Sequence, residues 1–310
     1  MTGHFEPLYL AQQGLNALQV SAFYLLIAVA YVLFHGIAGR FNLAFGALSM
    51  WAGYITVAGL AGASTGALPV VLIVLLAGLY AATATGVLGA WIGRVVAAPL
   101  IRQPPLSMLI ATIGVAICLE EVMRIAADSR ELWVMPLLAT PLFRFSQGGF
   151  TIQVTAMQGL VFGLCLALAV GLVAVIERTS FGRLWRACAQ DIRMAELLGV
   201  DTARVFALTA LLSSFYAGAA GALIGAYYGS ASFYVGFMIG MKALYVAILG
   251  GLDSIRGCFV GALFLGTFES FWSAWFPGDF RDVAVFAVMT GILVLRSPGE
   301  LDRSGAVRPG

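Results

Sequence analysis

Apolar residues in this chain come in long continuous runs, separated by short clusters of arginine, glycine and proline. About 20 such residues cross a bilayer as a helix, and a helix satisfies all of its own backbone polar groups there. Nine runs are read as membrane segments: Leu18–Phe34, Leu43–Leu60, Leu68–Ile92, Leu106–Met123, Thr155–Ile176, Val205–Tyr227, Phe237–Leu249, Cys258–Trp275 and Val283–Leu295. Strands of a membrane barrel would alternate with a period of two. The expected fold class is therefore all-α, a polytopic transmembrane helical bundle of about 8–10 segments forming one domain over 1–310. The seventh segment is short and flanked by glycine, which leaves a re-entrant or broken helix open.

Composition agrees. Of 310 residues, 61% are hydrophobic and 10% charged, and the mean hydropathy is +0.96. A soluble domain carries about 25% charged residues, so this surface needs lipid to face. A net charge of +2 gives no reason to expect a nucleic-acid partner. The N-terminus lacks a basic leader and cleavage site, so the first run is read as a retained span. Cys118, Cys165, Cys188 and Cys258 are far apart and read as packing groups, and His4 and His35 are too isolated for a metal site.

Arginines set the expected orientation. With nine segments and the N-terminus outside, Arg40, Arg94, Arg102, Arg178, Arg183, Arg186, Arg193, Arg204, Arg256, Arg296, Arg303 and Arg308 share one side, read as cytoplasmic. Arg124, Arg130, Arg144 and Arg281 fall on the other. The loop at 124–150 is then external, with Trp133 and Phe143 at the interface, and the polar loop at 177–204 is cytoplasmic. Gly221, Gly225 and Gly229, and likewise Gly257 and Gly261, recur every fourth residue, which brings small residues to one helix face for close packing within the chain.

The cytoplasmic loop holds the most informative pattern. Leu184, Ala187, Cys188, Ile192, Ala195 and Leu198 fall at helical spacing, with Arg186, Gln190, Arg193 and Glu196 on the polar side. Gly199 is placed to end this helix in a left-handed conformation, and Asp201 to cap the next one. A short amphipathic helix in such a place either lies on the membrane or docks a partner. Its small-residue face suits a protein groove better than a bilayer, where bulky side chains dominate.

The loop resembles the permease loop of branched-chain amino-acid ABC importers. The matching positions are Arg186, Ala187, Cys188, Asp191, Ala195, Leu198 and Gly199, and with Arg183 they are the ATPase-coupling candidates. The segments Gly36–Gly46, Tyr234–Ala243 and Ile248–Gly257 resemble the family's glycine-rich stretches in the same order, with Phe45-Gly46-Ala47 standing where His-Gly-Glu is expected in many relatives. The resemblance implies a coupling helix that docks on an ATP-binding subunit, a homologous second permease as heterodimer partner, two cytoplasmic ATP-binding subunits and a periplasmic binding protein. It implies a bacterial inner-membrane location and branched-chain apolar cargo, with urea, short amides or aromatic acids as alternatives.

A P-loop needs a Gly-rich run ending in Lys-Ser/Thr. The only lysine, Lys242, stands between Met241 and Ala243, so ATP and Mg are expected on partner subunits and no catalytic residue or bound cofactor on this chain. Ionisable residues inside spans are functional candidates. Lys242 and Glu269 are expected to line the interior, and pairing between them or snorkelling of the lysine are both open. Glu120, Glu121 and Arg124 are read as reaching the interface. Asn42, Ser49, Tyr54 and Tyr245 are further pathway candidates. An ion-coupled carrier, which would use a relay of buried acids, and a non-transporting scaffold are the rival functions.

Overall fold

All nine runs form helices in the computed structural model, which describes residues 7–63, 69–101, 103–135, 138, 140–147, 150–252 and 254–295. The first half comprises α1 (Pro7–Ala38), α2 (Ala44–Ala63), α3 (Val70–Ile92), which runs on through a π-helical turn at Gly93–Ala97 into α4 (Ala98–Leu100), and α5 (Pro105–Ala126). An extended region follows, with strands β1 (Leu132–Trp133), β2 (Pro141–Gln147) and β3 (Phe150–Thr155). The second half comprises α6 (Ala156–Arg178), α7 (Ser180–Gln190), α8 (Ile192–Leu197), α9 (Thr202–Tyr228), β4 (Ser230–Ala231), α10 (Val235–Gly250), α11 (Ile255–Trp275) and α12 (Arg281–Leu295).

Six helices among the described residues are long and apolar enough to cross a membrane by length and composition: α1, α2, α3 with its extension, α5, α6 and α9. Burial sorts them into two layers. The apolar windows of α1, α2 and α9 are 83%, 72% and 72% buried, whereas those of α3, α5 and α6 are 28% buried. The first three form a core, and the others form a wall whose exposed apolar faces suit lipid.

Core helices approach closely because glycine leaves room. A Cβ on Gly221 would strike the Ser49 carbonyl, and one on Gly225 would lie 3.0 Å from the Gly53 oxygen, so α9 packs on α2 almost backbone to backbone. Gly46 of α2 meets Gly236 and Gly240 of α10 in the same way, and Gly250 meets Gly257 across the α10–α11 turn. Gly261 approaches the Val246 carbonyl, 2.7 Å from where its Cβ would stand. The expected packing role thus fits Gly221, Gly225, Gly257 and Gly261. Gly229 is different: at φ +64° it ends α9, and its carbonyl accepts from the Val134 amide at 2.8 Å. Its place at the fourth residue of the stripe coincides with a C-terminal cap.

The seventh segment is one unbroken helix. α10 is one helix of 16 residues, about 24 Å at 1.5 Å per residue. It starts beside Met50 near β4 and ends at the turn where Arg256 pairs with Glu177 at 3.2 Å, next to α7. Arginines of the described residues separate accordingly. Arg40, Arg178, Arg183, Arg186, Arg193, Arg204 and Arg256 gather at the α7–α8 end, with Arg94 beside the first part of α9, and Arg124, Arg130, Arg144 and Arg281 lie at the other. Arg102, Arg296, Arg303 and Arg308 fall outside the described residues.

The region at 124–150 contains strands that the helical runs do not announce. β2 and β3 form an antiparallel hairpin, and β1 pairs with β4. Polar and apolar residues alternate along Phe150-Thr-Ile-Gln-Val-Thr155, a period-two signal too short to stand out beside the long runs. Thr155 then caps α6 in a reciprocal capping box with Gln158.

Close glycine packing yields a direct test. Gly221→Leu is expected to lower the thermal midpoint of the purified protein by an amount equivalent to about 1–3 kcal/mol or more. Gly114→Leu, where nothing lies within 4 Å of the added atom, should leave it unchanged. Equal midpoints for both variants would show that the α2–α9 contact tolerates a side chain.

Candidate functional site

Two features stand out at opposite ends of the bundle. At the arginine-rich end, Thr179 accepts from the Gly182 amide at 3.2 Å and starts α7 directly after α6, with Gly182 pressed against the Ile176 carbonyl. Trp185 anchors the helix: its indole N–H donates to the Leu33 carbonyl at 3.2 Å, and its ring fills the space above Gly36 on α1. Arg186 donates to the Ile176 carbonyl.

The single amphipathic helix read from the sequence is two helices. Asp191 adopts an extended conformation and caps α8 by accepting from the Met194 amide at 3.0 Å, so the helix breaks where an Asp side chain competes for backbone N–H groups. The break divides the expected apolar face. Cys188 and Ala195 are buried against the bundle and Ala187 is half-buried, so these positions seat the element on the bundle. Burial, with Glu196 nearby, pushes the Cys188 thiol up and leaves it an inert packing group. Arg183, Asp191, Leu198 and Gly199 are exposed, and Leu197 and Leu198 are both 82% exposed beside Met194. Gly199 has φ +83°, as expected of the terminating residue, and Asp201 accepts from the Arg204 amide to start α9.

Towards the other end lies a cavity of about 740 Å³ between α1, α2, α9, α10, α11 and α12. One wall is a charge network. Lys242 Nζ lies 2.9 Å from Glu269 Oε1 and 2.7 Å from Asp282 Oδ1, and Arg281 Nε lies 3.2 Å and 3.3 Å from the same two oxygens. The Tyr24 hydroxyl donates to Glu269 Oε2 at 2.7 Å. Lys242 and Glu269 are buried, whereas Arg281 and Asp282 are partly open to the cavity. Two cations face two anions, which is how charge survives where water is scarce.

Pairing of Lys242 with Glu269, one of the open alternatives, is therefore the arrangement found, and both residues line the cavity with Ser49. The remaining pathway candidates do not join them. Asn42 accepts from the Ala44 amide at the start of α2, the Tyr54 hydroxyl donates to the Arg130 carbonyl at 3.3 Å, and the Tyr245 ring meets Phe286. Tyr24, Arg281 and Asp282 were not signalled, because the first lies in an apolar run and the other two at a segment boundary. The only cue was that a lone buried lysine needs compensating charge.

A family model described as "Branched-chain amino acid transport system / permease component" matches residues 14–295. The chain belongs to that family. The permease is 33% identical over 297 residues to the high-affinity branched-chain amino acid transport system permease protein LivH of Escherichia coli K12, covering 96% of each chain. It is 34% identical over 300 residues to BraD of Pseudomonas aeruginosa, a protein of the same description, covering 96% of this chain and 97% of that one. A chain of PsaBC from Streptococcus pneumoniae, solved in complex with Fab, aligns over 91% of each chain at 15% identity with a TM-score of 0.44, too low to inform the fold. The permease is thus a multi-pass helical protein of the bacterial inner membrane, the membrane component of an ABC transporter.

Breaking one member of a buried ion pair costs about 3–5 kcal/mol, because it strands the other charge. Lys242→Met is expected to destabilise the permease by that order. The double variant Lys242→Met/Glu269→Gln should recover part of the loss, leaving Arg281 with Asp282. A thermal-unfolding double-mutant cycle reads this, and additive effects would mean that the pair is uncoupled.

Proposed function

We propose that the permease forms half of the translocation pathway of an ATP-driven importer for branched-chain, apolar amino acids. The observation that carries this reading is likeness to LivH and BraD along nearly the whole chain, through α7–α8 and the cavity alike. A homologous second permease completes the pathway as a heterodimer. Two cytoplasmic ATP-binding subunits hold the ATP and Mg, this chain being non-catalytic, and a periplasmic binding protein delivers the cargo. The N-terminus lies outside and the C-terminus in the cytoplasm, in keeping with the arginines gathered at the α7–α8 end.

The parts divide the work along the bundle axis. Met194, Leu197 and Leu198 form an exposed apolar tip beside Arg193 that fits a groove on an ATP-binding subunit. Trp185 ties that element to α1 through Leu33 and Gly36. The outer half of α1, through Gln19 and Tyr24, lines the cavity. Displacement of the tip by ATP binding therefore reaches the cavity wall along one rigid helix. An ion-coupled carrier finds less support, since the buried acid Glu269 is held by Lys242, Arg281 and Tyr24 together.

Uptake of leucine into vesicles carrying the complete importer is expected to stop when the ATP-binding subunits are omitted and to persist with an uncoupler present. The reverse pattern would assign an ion-coupled carrier, and uptake of urea or a short amide in place of leucine would reassign the cargo. Replacing Leu197 and Leu198 together by Asp should lower ATP-driven uptake roughly tenfold or more, as expected for anchors at an interface core. Unchanged uptake by that variant would place the docking surface elsewhere.

A further inference from the structure

The charge network is balanced, but its cavity-facing half is not saturated. Among the described residues, Arg281 meets both carboxylates through Nε alone, which leaves the two amino groups of its guanidinium for another acceptor. Asp282 takes both of its cations on Oδ1, which leaves Oδ2 for another donor. Burying these two side chains completely would have closed the network; instead they are 44% and 35% exposed. A fork that accepts a carboxylate and an oxygen that accepts an ammonium thus come from adjacent residues at the mouth of one cavity.

A third group in the same cavity points to a ligand independently. Gln19 is 5% exposed, lines the cavity, and its Nε2 has no hydrogen-bond partner. A buried donor left without a partner is costly, so such a group in a native protein calls for an explanation. The rest of the lining mixes hydroxyl and amide groups, such as Asn16, Ser49 and Ser230, with an apolar set that includes Val20, Met50, Ile224 and Ile239. The volume, about 740 Å³, lies in the range of about 300–1,000 Å³ typical of small-molecule sites.

We propose that this cavity is a binding site within a single permease subunit for a zwitterionic α-amino acid with an apolar side chain. Arg281 receives the carboxylate through its free amino groups, Asp282 receives the ammonium through Oδ2, and Gln19 Nε2 donates to a carboxylate oxygen. The buried Lys242–Glu269 pair is the positioning layer. It holds Asp282 from one side and Arg281 from the other, and keeps both charged without making contact with cargo itself. The apolar wall from α1, α2, α9 and α10 receives the side chain. The site rests on the reading of this chain as an amino-acid importer subunit and assigns to it a contact with cargo separate from that of the delivering protein.

The test is equilibrium binding of radiolabelled L-leucine to the assembled importer in nanodiscs with no binding protein present, alongside leucine uptake by the complete system. Wild type should bind saturably, and Arg281→Gln, Asp282→Asn and Gln19→Leu should each weaken binding about tenfold, the scale of one hydrogen bond to a charged group. Leucinamide, which lacks the carboxylate, provides the charge-specific readout. Its binding should fall about tenfold with Asp282→Asn and much less with Arg281→Gln, an asymmetry that general destabilisation does not produce. Gln19→Leu removes an unpartnered donor, so its thermal midpoint should hold or rise while leucine binding falls. An importer that transports leucine yet binds none without the delivery protein, or whose binding ignores all three replacements, overturns the site and leaves the importer function standing. One that neither transports nor binds leucine overturns both.

Discussion

A bilayer offers no water to a buried ammonium group, and that constraint organises the outer half of this permease. Lys242 lies within an apolar helix of glycine, alanine, methionine and leucine, where an unpaired charge would be expelled or neutralised. Its two carboxylates come from α11 and α12, and the hydroxyl that completes Glu269 comes from α1. One cation therefore fixes the mutual positions of four helices. Because Arg281 balances the second carboxylate, the group as a whole is neutral, and a cavity can open beside it without exposing net charge to lipid.

The same bundle relies on the opposite device where helices meet without polar groups. Hydrophobicity supplies little force between helices in lipid, so contact area and close approach must supply it. Ser49 against Gly221, Gly53 against Gly225 and Gly46 against Gly236 and Gly240 bring α2, α9 and α10 to backbone distance. Within Phe45-Gly46-Ala47, Gly46 makes this contact. Phe45 is buried and packs edge-on against Tyr31 and Phe34, a role filled by an aromatic ring.

What could be read from the sequence follows from how local each signal is. Continuous apolar runs made all nine helices legible, and the cap residues Gly199 and Asp201 act within a few positions of themselves. The break at Asp191 was hidden because an acidic residue also suits the polar face of an unbroken helix. The hairpin at 141–155 was overshadowed by the longer runs on either side. Lys242 and Glu269 could be nominated as a pair from their cost in lipid. Tyr24, Arg281 and Asp282 could not be nominated, because their roles arise only when segments up to about 250 residues apart in sequence converge. Asn42 and Tyr54 were nominated on the same ground as Lys242 and Glu269, but they lie outside the cavity lining and bond to backbone groups.

Trp185 seated over Gly36 gives α1 the character of a lever. The helix has 32 residues and is about 48 Å long, so a tilt of about 5° about one end sweeps the other through about 4 Å. A flexible joint at the indole would absorb such a tilt, whereas a ring held by a hydrogen bond and a glycine notch transmits it. At Tyr24, about 18 Å along the helix from Gly36, the same tilt gives a stroke of about 1.6 Å, which carries a 2.7 Å hydrogen bond beyond bonding distance. A modest rotation beneath the bundle is thus enough to separate Tyr24 from Glu269 and change which polar groups the cavity presents.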